Sequence, residues 1–179
     1  MKLEPIIRSA VSVLRRHIRA GIPMNTNMGF KEAFLVNAVT FAFLERGFLC
    51  YPQFGFRNGA IDAVFIRRKE IVLTEFKRLD AGSTKSVRSQ TRRMLRFSPR
   101  DQMSEHQFKP RRWKTSHLWV CDTWDEKSVQ WWLGGVTTRR LPAPFDGNWK
   151  RGRVDLRRAM LRHGTDWYPY SLLWAYHEK

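Results

Sequence analysis

The stretch 58-NGAIDAVFIRRKEIVLTEFK-77 decides the reading of this chain. Two short apolar runs rich in β-branched and aromatic residues, AIDAVFI and IVLTEF, flank the charged break Arg67-Arg68-Lys69-Glu70, the pattern of a β-hairpin. A turn centred on Arg68-Lys69 pairs residues whose numbers sum to 137, so Ile66 faces Ile71, Val64 faces Leu73, and Asp62 falls opposite Glu75. Strand side chains alternate, which puts Asp62, Glu75 and Lys77 on one face of the sheet. Two carboxylates facing each other across apolar strands repel, and a positive group between them is expected. A hard divalent cation, Mg2+ or Mn2+, answers that need because it takes carboxylate oxygens, keeps several waters and accepts a phosphate oxygen. Lys77 then stands where it can position the attacking water or stabilise charge developing on a phosphate.

Asp62 on one strand, Glu75-Phe76-Lys77 on the next, and a preceding helix that carries Glu32 together resemble the PD-(D/E)xK, or restriction-endonuclease-like, nuclease superfamily. The resemblance runs from Gly29 to Leu95 and departs from the family pattern at Ile61, where a proline is usual. It implies metal ligation by Asp62 and Glu75, completed by the Phe76 carbonyl, with Glu32 as an additional acid near the metal and Lys77 acting on water. It also implies an ordering role for Gln90 on the helix after Glu-x-Lys. Taken by itself, Glu32 is a first-turn acid favoured by the helix dipole, Gln90 a solvated polar residue.

Charge points the same way. With 33 Lys+Arg against 16 Asp+Glu in 179 residues, the net charge is +17, a field that costs stability by self-repulsion and suits a polyanionic partner, nucleic acid before membrane. From Lys85 to Lys114 ten Lys or Arg face only Asp101 and Glu105. Arg88, Arg92, Arg93 and Arg96 on a helix and Arg111, Arg112 and Trp113 in the following loop are therefore the expected nucleic-acid contacts. Trp149, another loop tryptophan beside a lysine, is a further candidate for stacking on bases.

The rest of the chain frames this centre. Residues 3 to 19 carry Ile6, Ile7, Ala10, Val11, Leu14 and Ile18 at helical spacing, and Gly21 to Asn27 make a loop. Residues 30 to 46 form a helix apolar nearly all round and packed on the sheet. Phe48 to Phe56 is a strand with Pro52 at an edge or bulge, Asn58-Gly59 a turn, 85 to 97 a helix, Thr115 to Thr123 a strand beside that of Glu75, and 125 to 133 a short helix. Val154 to His163 is expected to be a short basic helix, ahead of an aromatic tail.

The expected fold is α/β, a three-layer core with a central mixed sheet of four or five strands, an antiparallel meander first, flanked by helices. One domain covers 1–179, with the core at about 29–133, an N-terminal helix at 1–21 and a basic, aromatic extension at 134–179. With 42% hydrophobic and 27% charged residues the composition is globular. No apolar run is long enough for a bilayer, no signal peptide is visible, and Cys50 and Cys121 read as reduced core residues of a cytoplasmic protein. Phosphate loops, nucleophile elbows and zinc spacings are absent from the sequence. The function expected is metal-dependent hydrolysis of nucleic-acid phosphodiesters, DNA favoured. The alternatives are a non-catalytic nucleic-acid-binding protein of the same fold, or the nuclease subunit of a larger recombination, transposition or phage complex, with homodimers allowed.

Overall fold

The computed structural model describes residues 2–20, 32–56, 59–80, 84–97, 113–135, 144–145, 147–157, 162–163, 166–167 and 170–178. Among them the chain is α/β, with four helices and a six-stranded mixed sheet. Helix α1 (Glu4–Arg19) and α2 (Glu32–Leu44) precede strands β1 (Leu49–Phe56), β2 (Gly59–Arg67) and β3 (Glu70–Arg78). Then come α3 (Thr84–Arg96), β4 (Lys114–Thr123) and α4 (Glu126–Leu133), followed by β5 (Lys150–Arg157), the two-residue strands β6 (Arg162–His163) and β7 (Asp166–Trp167), and β8 (Tyr170–Glu178). The order across the large sheet is β1-β2-β3-β4-β8-β5. Only the β3–β4 pair is parallel, because α3 provides the crossover that a parallel pair requires.

The hairpin register is the one the sequence implies. Ile66 pairs with Ile71, Val64 with Leu73, and Arg67 with Glu70 around the turn at Arg68-Lys69. Alternation then sorts the strands between two cores. Ala63, Phe65, Val72, Phe76, Leu118 and Val120 face α1 and α2, whereas Val64, Ile66, Ile71, Leu73, Trp119 and Cys121 face α3 and α4. Each fully buried aliphatic or aromatic side chain contributes about 1.5–3 kcal/mol of transfer free energy, which makes the two-sided sheet the main source of stability.

Local signals set the helix ends. At α4 the Asp125 carboxylate accepts from the Lys127 and Ser128 amides, and Gly134 closes the helix at φ +82°. Pro5 occupies the first turn of α1, where its missing N–H costs nothing.

Three expectations need correction. The sheet has six strands, because β8 inserts between β4 and β5 and so draws the supposed C-terminal extension into the core. Residues 154–157, expected to start a basic helix running to His163, belong instead to strand β5, and 162–163 to β6; alternating Val154 and Leu156 pack on the α1/α2 core. Helix α2 is not buried all round, since Phe41 and Leu44 remain 48% and 47% exposed. Cys121 is a free thiol in the core, as expected, whereas Cys50 is free but only half-buried. The loop at 21–27, Asn58, and the basic segment 98–112 with Arg111 and Arg112 lie outside the described residues.

Candidate functional site

At the end of the β2–β3 hairpin away from its turn, Asp62 and Glu75 come together. The Phe76 amide donates to Asp62 Oδ2 at 2.8 Å, a bond that ties the carboxylate of one strand to the backbone of the next, one residue past Glu75. Gln53, in the strand alongside, has φ +48°, and past Asp62 the alternation breaks so that Ile61 joins the α3 side. The meander therefore distorts where the acids meet, as strands do beside functional groups.

Glu75 is 1% exposed, on the face covered by α3. Burial, then the charge of Asp62 and a hydrogen bond with it, push its carboxyl up to about 8, against the opposing pull of Arg93. The Arg93 Nη2 lies 3.6 Å from Glu75 Oε1. Around this pair several buried polar atoms have no hydrogen-bond partner, namely Glu75 Oε1, Gln90 Oε1, Arg93 Nε and, on the neighbouring strand, Trp119 Nε1. Buried orphans of this kind cost about 1–3 kcal/mol each, and a concentration of them marks a place built for a ligand, an ion or water.

Lys77 follows Glu75 by one pleat and is half-buried, beside Cys121 of β4. Glu32 sits in the first turn of α2, as expected, with its side chain exposed. Partial desolvation and the charges of Asp62 and Asp122 raise its carboxyl above the usual range, while Lys77 and Arg78 pull it down. Those influences locate Glu32 at the same end of the sheet as the Asp62/Glu75 pair.

On the opposite face of the same sheet end lies a network that the sequence reading missed. Asp122, fully buried, is paired in register with Arg78. It accepts from Arg78 Nη2 at 3.0 Å and from the Tyr170 hydroxyl, while its Oδ1 is a buried orphan. Burial nonetheless raises its carboxyl, with Tyr170 and Arg78 opposing. The Arg78 guanidinium also lies 5.4 Å from the centre of the Trp124 ring. A charged residue inside the apolar run LWVCDT was the available signal; its partner on β8 was out of reach of local pattern.

Comparisons with protein-family models, with curated proteins and with solved structures found no match.

The side chains therefore carry the chemical argument. Among the described residues no three or more His, Cys, Asp or Glu converge as a ready metal cage. Mg2+, however, commonly binds through one or two carboxylates with water and substrate oxygens filling the remainder. A repelling carboxylate pair with a buried orphan oxygen on Glu75 is a donor set that fits such a hard cation.

The expected nucleic-acid contacts divide. Arg92 and Arg96 are exposed on α3 and Arg88 is half-buried. Arg93 instead turns inward to Glu75, because Val87, Thr91 and Met94 set the buried face of α3 and Arg93 lies on its margin. Gln90 also borders that face, with its buried Oε1 lacking a hydrogen-bond partner. Trp113 is half-buried against the α3/α4 core. Trp149 is 5% exposed and stacked on Phe145, with ring centroids 4.7 Å apart, so it is a core residue and not a base-stacking platform.

Proposed function

We propose that this chain is a metal-dependent nuclease, hydrolysing phosphodiester bonds of nucleic acid with DNA as the favoured substrate, on a PD-(D/E)xK-type hairpin. The observation that carries the reading is the meeting of Asp62 with a buried Glu75 whose carboxyl is pushed to about 8, one pleat from Lys77. A carboxyl shifted this far by burial together with a specific charged neighbour is the kind of group that functional sites use.

In this reading Asp62, Glu75 and the Phe76 carbonyl hold Mg2+ or Mn2+, with Glu32 in support. The cation, when bound, supplies positive charge to the scissile phosphate and to the attacking water. The chain's own groups do the remainder. The Phe76 amide holds Asp62 in place. Lys77 orients the water or stabilises the developing negative charge. Exposed Arg92 and Arg96 on α3, and a net charge of +17, bring the polyanion to this face.

One observation favours the alternative of a non-catalytic nucleic-acid-binding protein: Arg93 already provides a positive charge beside Glu75. Labelled linear, circular and four-way-junction DNA, incubated with and without Mg2+, separates the two. Cutting that needs Mg2+ and disappears in Lys77→Ala at unchanged DNA affinity is the expected result. Salt-sensitive binding of all three DNAs with no cutting, under Mg2+ or Mn2+, leaves the binding protein. The assay also distinguishes duplex from branched substrate.

A further inference from the structure

A second cationic site lies at the other end of the sheet. A cleft of about 870 Å3 is lined by Arg46 and Gly47 after α2, by Arg67, Arg68, Lys69 and Glu70 at the hairpin turn, and by Lys114 at the start of β4. Its single acid is spoken for, since Arg67 donates from Nε and Nη2 to Glu70 Oε2 at 3.3 and 2.8 Å. Arg67 is further fixed by donating to the Arg46 carbonyl at 3.0 Å and by stacking over Phe48 at 4.4 Å. Arg46 in turn donates to the carbonyls of Ala42 and Pro5, both at 2.9 Å. Bonds to neutral carbonyls leave its positive charge uncompensated. The Lys114 amide donates to the Lys69 carbonyl at 2.8 Å, which sets two exposed lysines side by side.

The turn itself is strained in their favour. Arg68 has φ +52°, a conformation where glycine or asparagine is ordinarily found, so the chain holds an arginine at a disfavoured backbone position on the rim of this cleft. Among the described residues Arg46, Arg68, Lys69 and Lys114 make no ion pair with an acid, and a multivalent anion relieves the repulsion between them. The rigid guanidinium of Arg46 in the wall and mobile ammonium groups at the rim suit a run of phosphates more than a single carboxylate.

We infer that this cleft is a separate binding site for a phosphodiester backbone, able to hold a nucleic-acid segment independently of the Asp62/Glu75 end. Along β3, Lys77 is seven residues from Glu70, which at about 3.3 Å per residue puts the two ends roughly 23 Å apart. The cleft also opens toward the α1/α2 side, the side opposite to Glu75. About seven base pairs cover that distance at 3.4 Å per pair, so the two sites are kept apart by facing opposite sides of the sheet and not by length. The inference stands on the phosphate chemistry alone and does not require catalysis.

The test is made in EDTA, so that no cutting enters the readout. A labelled 20-base-pair DNA duplex and inorganic pyrophosphate are titrated against wild type, Arg68→Gly, and the triple variant Arg68→Gly/Lys69→Gln/Lys114→Gln. Arg68→Gly relieves the backbone and is expected to raise the melting temperature while weakening duplex binding, a combination that a merely structural arginine does not produce. The triple variant is expected to lower the slope of log affinity against log salt by about one unit per removed phosphate contact, and the affinity at 0.1 M salt by about tenfold or more. An unchanged slope and affinity overturn the inference. So does pyrophosphate binding lost in the triple variant with duplex binding intact, because the ligand is then a free phosphate compound.

Discussion

The Arg93 guanidinium lies 3.6 Å from Glu75 Oε1, on the margin of the helix that covers the buried acid. The arginine is 38% exposed and the glutamate 1%, so the contact joins a reachable cation to a carboxyl that solvent does not touch. Burial still wins, since the Glu75 carboxyl is pushed up to about 8 in spite of the neighbour. Near neutral pH the pair is therefore mostly a protonated glutamic acid beside a charged arginine.

A metal must displace this arrangement, and Arg93 opposes it by charge. Arg93→Met is expected to tighten Mg2+ binding several-fold, read by calorimetry at pH 8 or by the Mg2+ dependence of the melting temperature. The same variant is expected to lose more stability at pH 9 than at pH 6, because only the ionised Glu75 gains from the guanidinium. Weaker Mg2+ binding in Arg93→Met would show that this residue supports the metal instead of competing with it.

Glu75 also gives stability a pH slope of definite sign. Its carboxyl titrates near 4.5 when unfolded and near 8 when folded, so the folded protein holds the proton more tightly. Between those values each rise in pH favours the unfolded state, and the loss is complete above about 8. Glu75→Gln is expected to flatten the slope by the share that Glu75 contributes and to be the more stable protein at pH 8, by about 1–4 kcal/mol in chemical denaturation. Mg2+ affinity of the wild type is expected to rise toward pH 8, since the proton must leave first. Parallel pH–stability curves for the two proteins would mean that Glu75 is ionised throughout.

Asp62→Asn keeps an oxygen to accept from the Phe76 amide but removes the charge that faces Glu75. Above about pH 8, where Glu75 is ionised, the metal-free variant is expected to be more stable than wild type by about 1 kcal/mol. Mg2+ is expected to raise the melting temperature of the wild type and hardly move that of the variant. Equal shifts in both, measured against EDTA controls, would remove Asp62 from the ligand set.

On α3 the two exposed arginines should act on nucleic acid alone. Replacing Arg92 and Arg96 with Gln is expected to reduce the slope of log affinity against log salt by about two units, with stability changed by less than about 0.5 kcal/mol. A stability loss of several kcal/mol would place them in the fold instead.

Local rules carried much of this protein. The two-residue turn and the period of a strand sufficed to place Asp62 opposite Glu75, and the structure has that register in the neighbouring pairs Ala63–Thr74 and Val64–Leu73. Helical spacing likewise anticipated the buried side of α1 through Ile6, Ile7, Ala10, Val11, Leu14 and Ile18. Both are properties of a few consecutive residues, whose geometry repeats whatever they pack against. The position of β8 is of another kind. Pairing Cys121 with Leu173 and Arg153 with the same Leu173 joins segments far apart in sequence, and no pattern within the aromatic tail says that it fills the gap between two strands.

Charge placement followed the same division. That the chain is strongly basic, and that a carboxylate pair with a lysine occupies one hairpin, was present in the sequence because composition and strand alternation need no partner. Which cations neutralise which acids was decided only by tertiary structure. Arg93 meets Glu75 because α3 docks with Val87 and Met94 inward, Arg78 and Tyr170 meet Asp122 because β3, β4 and β8 lie side by side, and the basic cleft exists because the end of α2, the hairpin turn and the start of β4 come together. Electrostatic energy depends on separation in space and on burial, and both of these come into being only when distant segments pack.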